Sequence, residues 1–143
     1  MVADLFHYGH SEYLRKISEF KNDGDKLYVG IHNDETVQSY KRLPVLTMDE
    51  RIKVISSCKY IDKVIHDAPM YITKEYIDLY KIDLFFIPDN RISEDITVIN
   101  NGVPISVNPA KIPHEMGIVK KIPYTHEIST TDIIKKIKTR TDL

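Results

Sequence analysis

The feature that most constrains this chain is an alternation. As far as Asn90, compact apolar runs take turns with segments whose apolar residues recur at helical spacing. A run of four or five apolar residues suits a strand buried on both faces, and apolar residues three and four apart suit a helix that covers such a strand. Leu14, Ile17 and Phe20 follow His10 at helical spacing, Asn22-Asp23-Gly24-Asp25 stops that helix, and Leu27-Tyr28-Val29-Gly30-Ile31 reads as a strand. Thr47-Met48-Asp49-Glu50 has the form of a capping box and predicts a helix from about residue 48 to 59, with Met48, Ile52, Ile55 and Cys58 on one face. Tyr60 to Ile65 is the next strand, Thr73 caps a helix carrying Ile77 and Leu79, and Asp83 to Ile87 is a third strand ending at Pro88. Three strand-helix repeats with short links predict an α/β fold with a doubly wound, mainly parallel sheet.

The remainder is less regular. Ile96 to Ile99, then Asn100-Asn101-Gly102, then Val103 to Val107 predict a hairpin, with Pro104 confining the second strand to an edge. Ile118 to Ile122 is a last strand, and Ser129-Thr130-Thr131-Asp132 opens a basic helix through Ile133, Ile134 and Ile137. The 143 residues predict one domain, residues 1–143, large enough for a core without covalent staples. Cys58 is the single cysteine, which excludes a disulfide framework and a thiolate zinc site. A formal net charge of −1 gives no general pull toward nucleic acid, so anion binding must come from local geometry. The longest apolar runs, such as Leu84 to Ile87, are far short of a membrane span, and Met1 to Asp4 lacks the form of a signal peptide, so a cytoplasmic location is expected.

In a doubly wound sheet the ligand sits at the carboxyl ends of the strands, beside helix openings whose free amides attract anions. Five places qualify: Asp4 to His10, His32 to Asp34, Lys41 with Arg42, Asp89 with Asn90, and Ser129 to Thr131. In His7-Tyr8-Gly9-His10 two imidazoles three residues apart can face the same way, and Gly9 admits a phosphate close to the backbone. The same residues also fit a pair of capping or surface histidines. Lys41 and Arg42 fit solvated loop charges, Arg51 fits a surface pair with Asp49, Asp89 fits a turn cap, and Ser129 fits an ordinary N-cap.

The blocks Asp4-Leu5-Phe6-His7-Tyr8-Gly9-His10, Leu27 to Glu35, Pro44 to Arg51 and Tyr60 to Ile65 resemble, in order, those of the CTP:phosphoalcohol cytidylyltransferases, and Ile128 to Ile134 resembles their closing block. The resemblance runs from Asp4 to about Asn90, resumes near Ile128, and implies a Rossmann-like nucleotidyltransferase fold. It further implies transfer of a cytidylyl group from CTP to a small phosphoalcohol of the phosphoethanolamine or phosphocholine type, with release of pyrophosphate. By the family pattern His7, His10, Lys41 and Arg51 are catalytic. Asp4, Phe6, Gly9, Asp89, Ile128, Ser129, Thr130 and Thr131 bind the nucleotide, and Asp4, Met70 and Tyr71 bind the phosphoalcohol. Mg²⁺ would bridge phosphate oxygens without a dedicated set of protein ligands. A homodimer is implied as well.

The chain departs from the pattern in three places. The family has a whole strand before its first histidine block, where only Met1-Val2-Ala3 stand, so the sheet is expected to lack its first strand. Tyr124 and Glu127 stand where the family's closing block has an arginine and a glycine, so one clamp on the triphosphate is missing unless Lys120 or Lys121 supplies it. Ile87-Pro88-Asp89-Asn90 replaces the usual turn after the third strand, and Met70 follows Ala68-Pro69 where the choline enzymes have an aromatic residue. These departures favour, as an alternative, a nucleotide-binding or interaction module of the same fold with weak or no catalysis.

Overall fold

Thr47 shows how local chemistry sets the elements. Its hydroxyl accepts from the Glu50 amide while the Glu50 carboxylate accepts from the Thr47 amide, 2.9 Å away, so two amides that a helix start leaves orphaned are satisfied reciprocally. The computed structural model describes residues 1–90 and 95–143. In chain order the elements are α1 (Tyr8–Ser18), β1 (Tyr28–Gly30), α2 (Asp34–Gln38), α3 (Met48–Ile55), β2 (Lys63–Ile65), α4 (Lys74–Tyr80), β3 (Phe85–Pro88), β4 (Ile96–Asn100), β5 (Val103–Val107), α5 (Lys111–Glu115), β6 (Val119–Ile122) and α6 (Thr130–Thr139).

The sheet is parallel and broken. β1 pairs with β2, with Val29 opposite Val64, and β3 pairs with β6, with Phe86 opposite Lys120. The two parallel pairs are not hydrogen-bonded to each other. On the side of β1 away from β2, the Met1 ammonium donates to the Gly30 carbonyl and the His32 amide donates to the Met1 carbonyl. That is one step of a parallel ladder, made three residues before the turn at Asp4-Leu5. β4 and β5 form the expected antiparallel hairpin, and Asn101 and Gly102 both have left-handed φ, 49° and 76°, as a two-residue turn that follows the strand twist requires.

One apolar cluster holds these pieces together. Leu14 and Ile17 of α1, Val29 of β1 with the adjoining Ile31, Ile52 and Ile55 of α3 and Ile122 of β6 are all buried in it. Full burial of such side chains stabilises by about 1.5–3 kcal/mol each. Gly30 lets β1 lie close to the turn after β2, because a Cβ there would sit 2.6 Å from the Ala68 Cβ.

The structure shortens several of the expected elements, α3 and β2 among them. α3 stops at Ser56 rather than near residue 59, where the Ser57 hydroxyl donates to the Val54 carbonyl and competes with the helix ladder. β2 begins at Lys63, after a turn at Lys59-Tyr60 and a bend at Asp62, whose carboxylate accepts from the Leu27 amide at 2.7 Å and from Lys21 at 2.6 Å. Two short helices, α2 and α5, were not foreseen. α2 is capped by Asn33, whose side chain accepts from the Thr36 amide at 2.7 Å.

Candidate functional site

The site begins with the cap of α1. His7 is the N-cap residue, and its Nδ1 accepts from the Gly9 amide at 3.1 Å, while Nδ1 of His10 accepts from the His7 amide at 3.2 Å. This is a capping box built from two imidazoles. The rings lie 3.9 Å apart, with Phe6 stacked on the far side of His10 at 5.4 Å. Because each Nδ1 accepts a backbone hydrogen, the neutral rings carry their protons on Nε2. The Thr130 hydroxyl agrees with that assignment. It donates to the Asp4 carbonyl at 2.9 Å, so its lone pairs face His7 Nε2 at 3.5 Å.

Burial pushes the His10 pKa down to about 4, helped by the neighbouring His7 ring and by the charges of Lys41 and the amino terminus, against a pull upward from Asp4. Burial lowers the His7 pKa as well. The pair is therefore a set of neutral N–H donors. Gly9 has a steric reason to be glycine: a Cβ would lie 2.9 Å from the His7 ring and 3.0 Å from Ile128, which enters from the segment before α6.

Asp4 is buried, with 4% of its surface exposed, and its carboxylate accepts from the Val45 amide at 2.9 Å, the Leu46 amide at 3.0 Å and the Arg42 guanidinium at 3.2 Å. Desolvation raises its pKa, but the two amides and Arg42 outweigh that and hold the carboxyl below its ordinary value. Three of its roughly four lone-pair positions are thus occupied. Its carboxylate anchors the 42–46 loop, and Asp4 also lines the large cleft between β1 and β3. The expected role of Arg51 is corrected. It is 0% exposed and donates to the carbonyls of Leu46, Val2 and His32 at 3.1, 2.6 and 2.8 Å and to the Asp34 carboxylate at 2.7 Å, so it neither reaches a cleft nor pairs with Asp49 on the surface.

The other expected residues divide in the same way. His7, Gly9, His10, Lys41, Ile128, Ser129, Thr130 and Thr131 line one open cleft of about 1440 Å³, which runs between β1 and β3. Met70 lines it also, whereas Tyr71 and Phe6 do not. Asp89 is not part of the lining; its carboxylate accepts from the Tyr124 amide at 2.9 Å and so holds the segment that leads to α6, while the adjacent Asn90 faces the cleft. Tyr124 lines the cleft where the expected pattern has a guanidinium, and Lys120 is turned onto the Phe20 ring at 5.3 Å. The sequence reading missed Arg42 and Asp34 as the partners of Asp4 and Arg51. The basic pair Lys41-Arg42 and the acid following Asn33 were the visible signals.

The Ser129 hydroxyl accepts from the Asp132 amide at 3.1 Å and donates to the Asp132 carboxylate at 2.6 Å, which leaves the first amides of α6 as the anion-facing groups of that helix. Two neutral imidazole donors, the Lys41 side chain and one helix opening thus line a common space, an arrangement suited to phosphate oxygens. Among the described residues no three His, Cys, Asp or Glu side chains are grouped to hold a metal ion, and no helix is long and apolar enough to cross a membrane.

The family described as cytidylyltransferase-like matches residues 2–136. Ethanolamine-phosphate cytidylyltransferase of Dictyostelium discoideum is 35% identical over 136 residues, covering 94% of this chain and 35% of that protein. Choline-phosphate cytidylyltransferase 2 of Arabidopsis thaliana is 36% identical over 138 residues, covering 95% of this chain and 42% of that protein. The chain therefore spans between about a third and two-fifths of the length of these relatives. The crystal structure of the lipopolysaccharide core biosynthesis protein from Thermoplasma volcanium GSS1 superimposes with a TM-score of 0.60 at 21% identity, over 87% of this chain and 91% of that one, a likeness of fold.

Proposed function

The chain belongs to the cytidylyltransferase-like family, and from that premise we propose that it transfers the cytidylyl group of CTP to the phosphate of a small phosphoalcohol, of the phosphoethanolamine or phosphocholine type. A phosphate oxygen of the acceptor forms a bond to the α-phosphorus of CTP, the bond from that phosphorus to the bridging oxygen breaks, and pyrophosphate leaves. No protein nucleophile is needed, so catalysis consists of positioning and of neutralising charge on the phosphates.

The observation that carries this reading is the convergence of the early histidines with the late Ser-Thr segment. Thr130 Oγ1 lies 3.5 Å from His7 Nε2, although 123 residues separate them. In this reading the Nε2–H groups of His7 and His10 donate to triphosphate oxygens, and the α6 amides at Thr130 and Thr131 take the terminal phosphates. Lys41 offsets the charge that accumulates on the leaving group. Mg²⁺ would be brought by CTP rather than held by a protein ligand set, and would supply further neutralisation of phosphate charge. The family resemblance extends the reading to a homodimer.

Incubation with CTP, Mg²⁺ and a panel of phosphoalcohols, with pyrophosphate followed, is the direct test. Release that depends on the acceptor is expected, and silence across the panel contradicts the reading. Tyr124, standing in the cleft in place of a guanidinium, favours a second reading in which CTP binds without turnover. Calorimetric binding of CTP by a chain that releases no pyrophosphate would decide for it.

A further inference from the structure

We infer that Asp4 is a positioning residue, a buried latch that fixes the Lys41 loop and the start of α6 against the imidazole pair. The catalytic half of this inference rests on the proposed reaction; the structural half does not. The link from Ser39 to Thr47 lies between α2 and α3, outside regular structure, and exposes Lys41, Arg42, Leu43 and Val45. A stretch of that kind has little apolar burial to hold it in one conformation. Its first part is tied to α2, where the Val37 carbonyl accepts from the Lys41 amide at 2.9 Å, and beyond Lys41 it is held by charge. The Asp4 carboxylate accepts the Val45 and Leu46 amides at 2.9 and 3.0 Å and Arg42 at 3.2 Å, and Arg51 takes the Leu46 carbonyl at 3.1 Å from the other side.

The same residue reaches α6. The Asp4 carbonyl accepts from Thr130 Oγ1 at 2.9 Å, and that hydroxyl is the group facing His7 Nε2. Asp4 is thus bonded both to the loop that bears Lys41 and to the helix start that faces His7. Its neighbours Ala3 and Leu5 have φ of 55° and 46°, a left-handed conformation that residues with a Cβ adopt at a cost, and the bonds made by Asp4 hold them there. With these bonds made, the Lys41 ammonium lies near enough to His10 to depress its pKa. Opening the latch would release residues 42–46 and leave Lys41 held only from the α2 side, through its amide on the Val37 carbonyl.

Amide hydrogen exchange of the full chain tests the latch without any activity. In Asp4→Asn one acceptor oxygen becomes an amide donor that opposes the Val45 or Leu46 N–H, so exchange at those two amides is expected to rise about tenfold or more while Ile31 and Ile55 keep their protection. Unchanged exchange, or an equal loss at all four positions, overturns the latch. If Asp4→Asn fails to fold, Arg42→Gln removes only the guanidinium and must still raise exchange at Val45, by about threefold; no rise overturns it. For the catalytic half, Asp4→Asn is expected to lower kcat more than it changes KM for CTP. Its effect should largely disappear in a Lys41→Ala background, because it acts through Lys41. Additive losses overturn that half. A wild-type chain with no turnover would instead refute the proposed reaction and leave the exchange result to decide the latch.

Discussion

Replacing His10 by glutamine isolates the energetic cost of keeping that ring neutral. Burial and the neighbouring His7 ring take the His10 pKa from 6.5 to about 4, whereas the unfolded chain titrates near 6.5. Between those values the unfolded state binds a proton that the folded state refuses, so stability falls as the pH drops through the interval. From pH 7 to pH 5 the full shift corresponds to about 1.8 kcal/mol, and partial exposure of the ring reduces this toward about 1 kcal/mol. Asp4 and Asp62, whose carboxyls are held below their ordinary value, add losses only at lower pH. Glutamine suits the substitution because it serves as a capping-box residue and can accept the His7 amide as His10 Nδ1 does. Urea unfolding followed by far-UV circular dichroism at the two pH values is the assay. The wild type is expected to lose about 1–2 kcal/mol more than His10→Gln between pH 7 and pH 5, with the remaining loss in the variant including that of His7. Equal losses would refute the argument, as would a titration midpoint for His10 near 6.5 in the folded protein by NMR.

Three further substitutions probe the frame. Arg51→Met fills similar space but leaves three carbonyls and Asp34 without their donor, so a loss of about 3–5 kcal/mol is expected in urea unfolding; a loss below about 1 kcal/mol would deny Arg51 its bracing role. Gly30→Ala drives a methyl against the Ala68 Cβ and is expected to cost about 1–3 kcal/mol, with partial rescue by Ala68→Gly in the same melt. Gly9→Ala presses on the His7 ring and Ile128, and under the proposed function it is expected to weaken CTP binding by about tenfold; calorimetry showing unchanged affinity would separate ring placement from binding.

Much of the architecture was legible because it depends on local chemistry. Thr47, Thr73 and Ser129 each cap the helix that their position in the sequence suggested, and Asn101-Gly102 turns the hairpin. The short helices α2 and α5 were hidden because five residues give too little periodicity to read. The gathering of His7, His10, Lys41 and Thr130 in one cleft followed from the ordered blocks. The duties of Asp4 and Arg51 did not. A charge that binds a ligand and a charge that braces a loop are the same letter in a sequence, and only burial with a full set of partners tells them apart. Asp89 differs from both: it is exposed, and one oxygen of its carboxylate accepts from the Tyr124 amide.

The imidazole capping box joins two events that most sites keep separate. The amides that close the first turn of α1 also decide which nitrogen of each ring holds the proton. A single unwound turn would therefore free both rings to change tautomer together, so under the proposed function the first turn of α1 also sets which ring nitrogens face the phosphates.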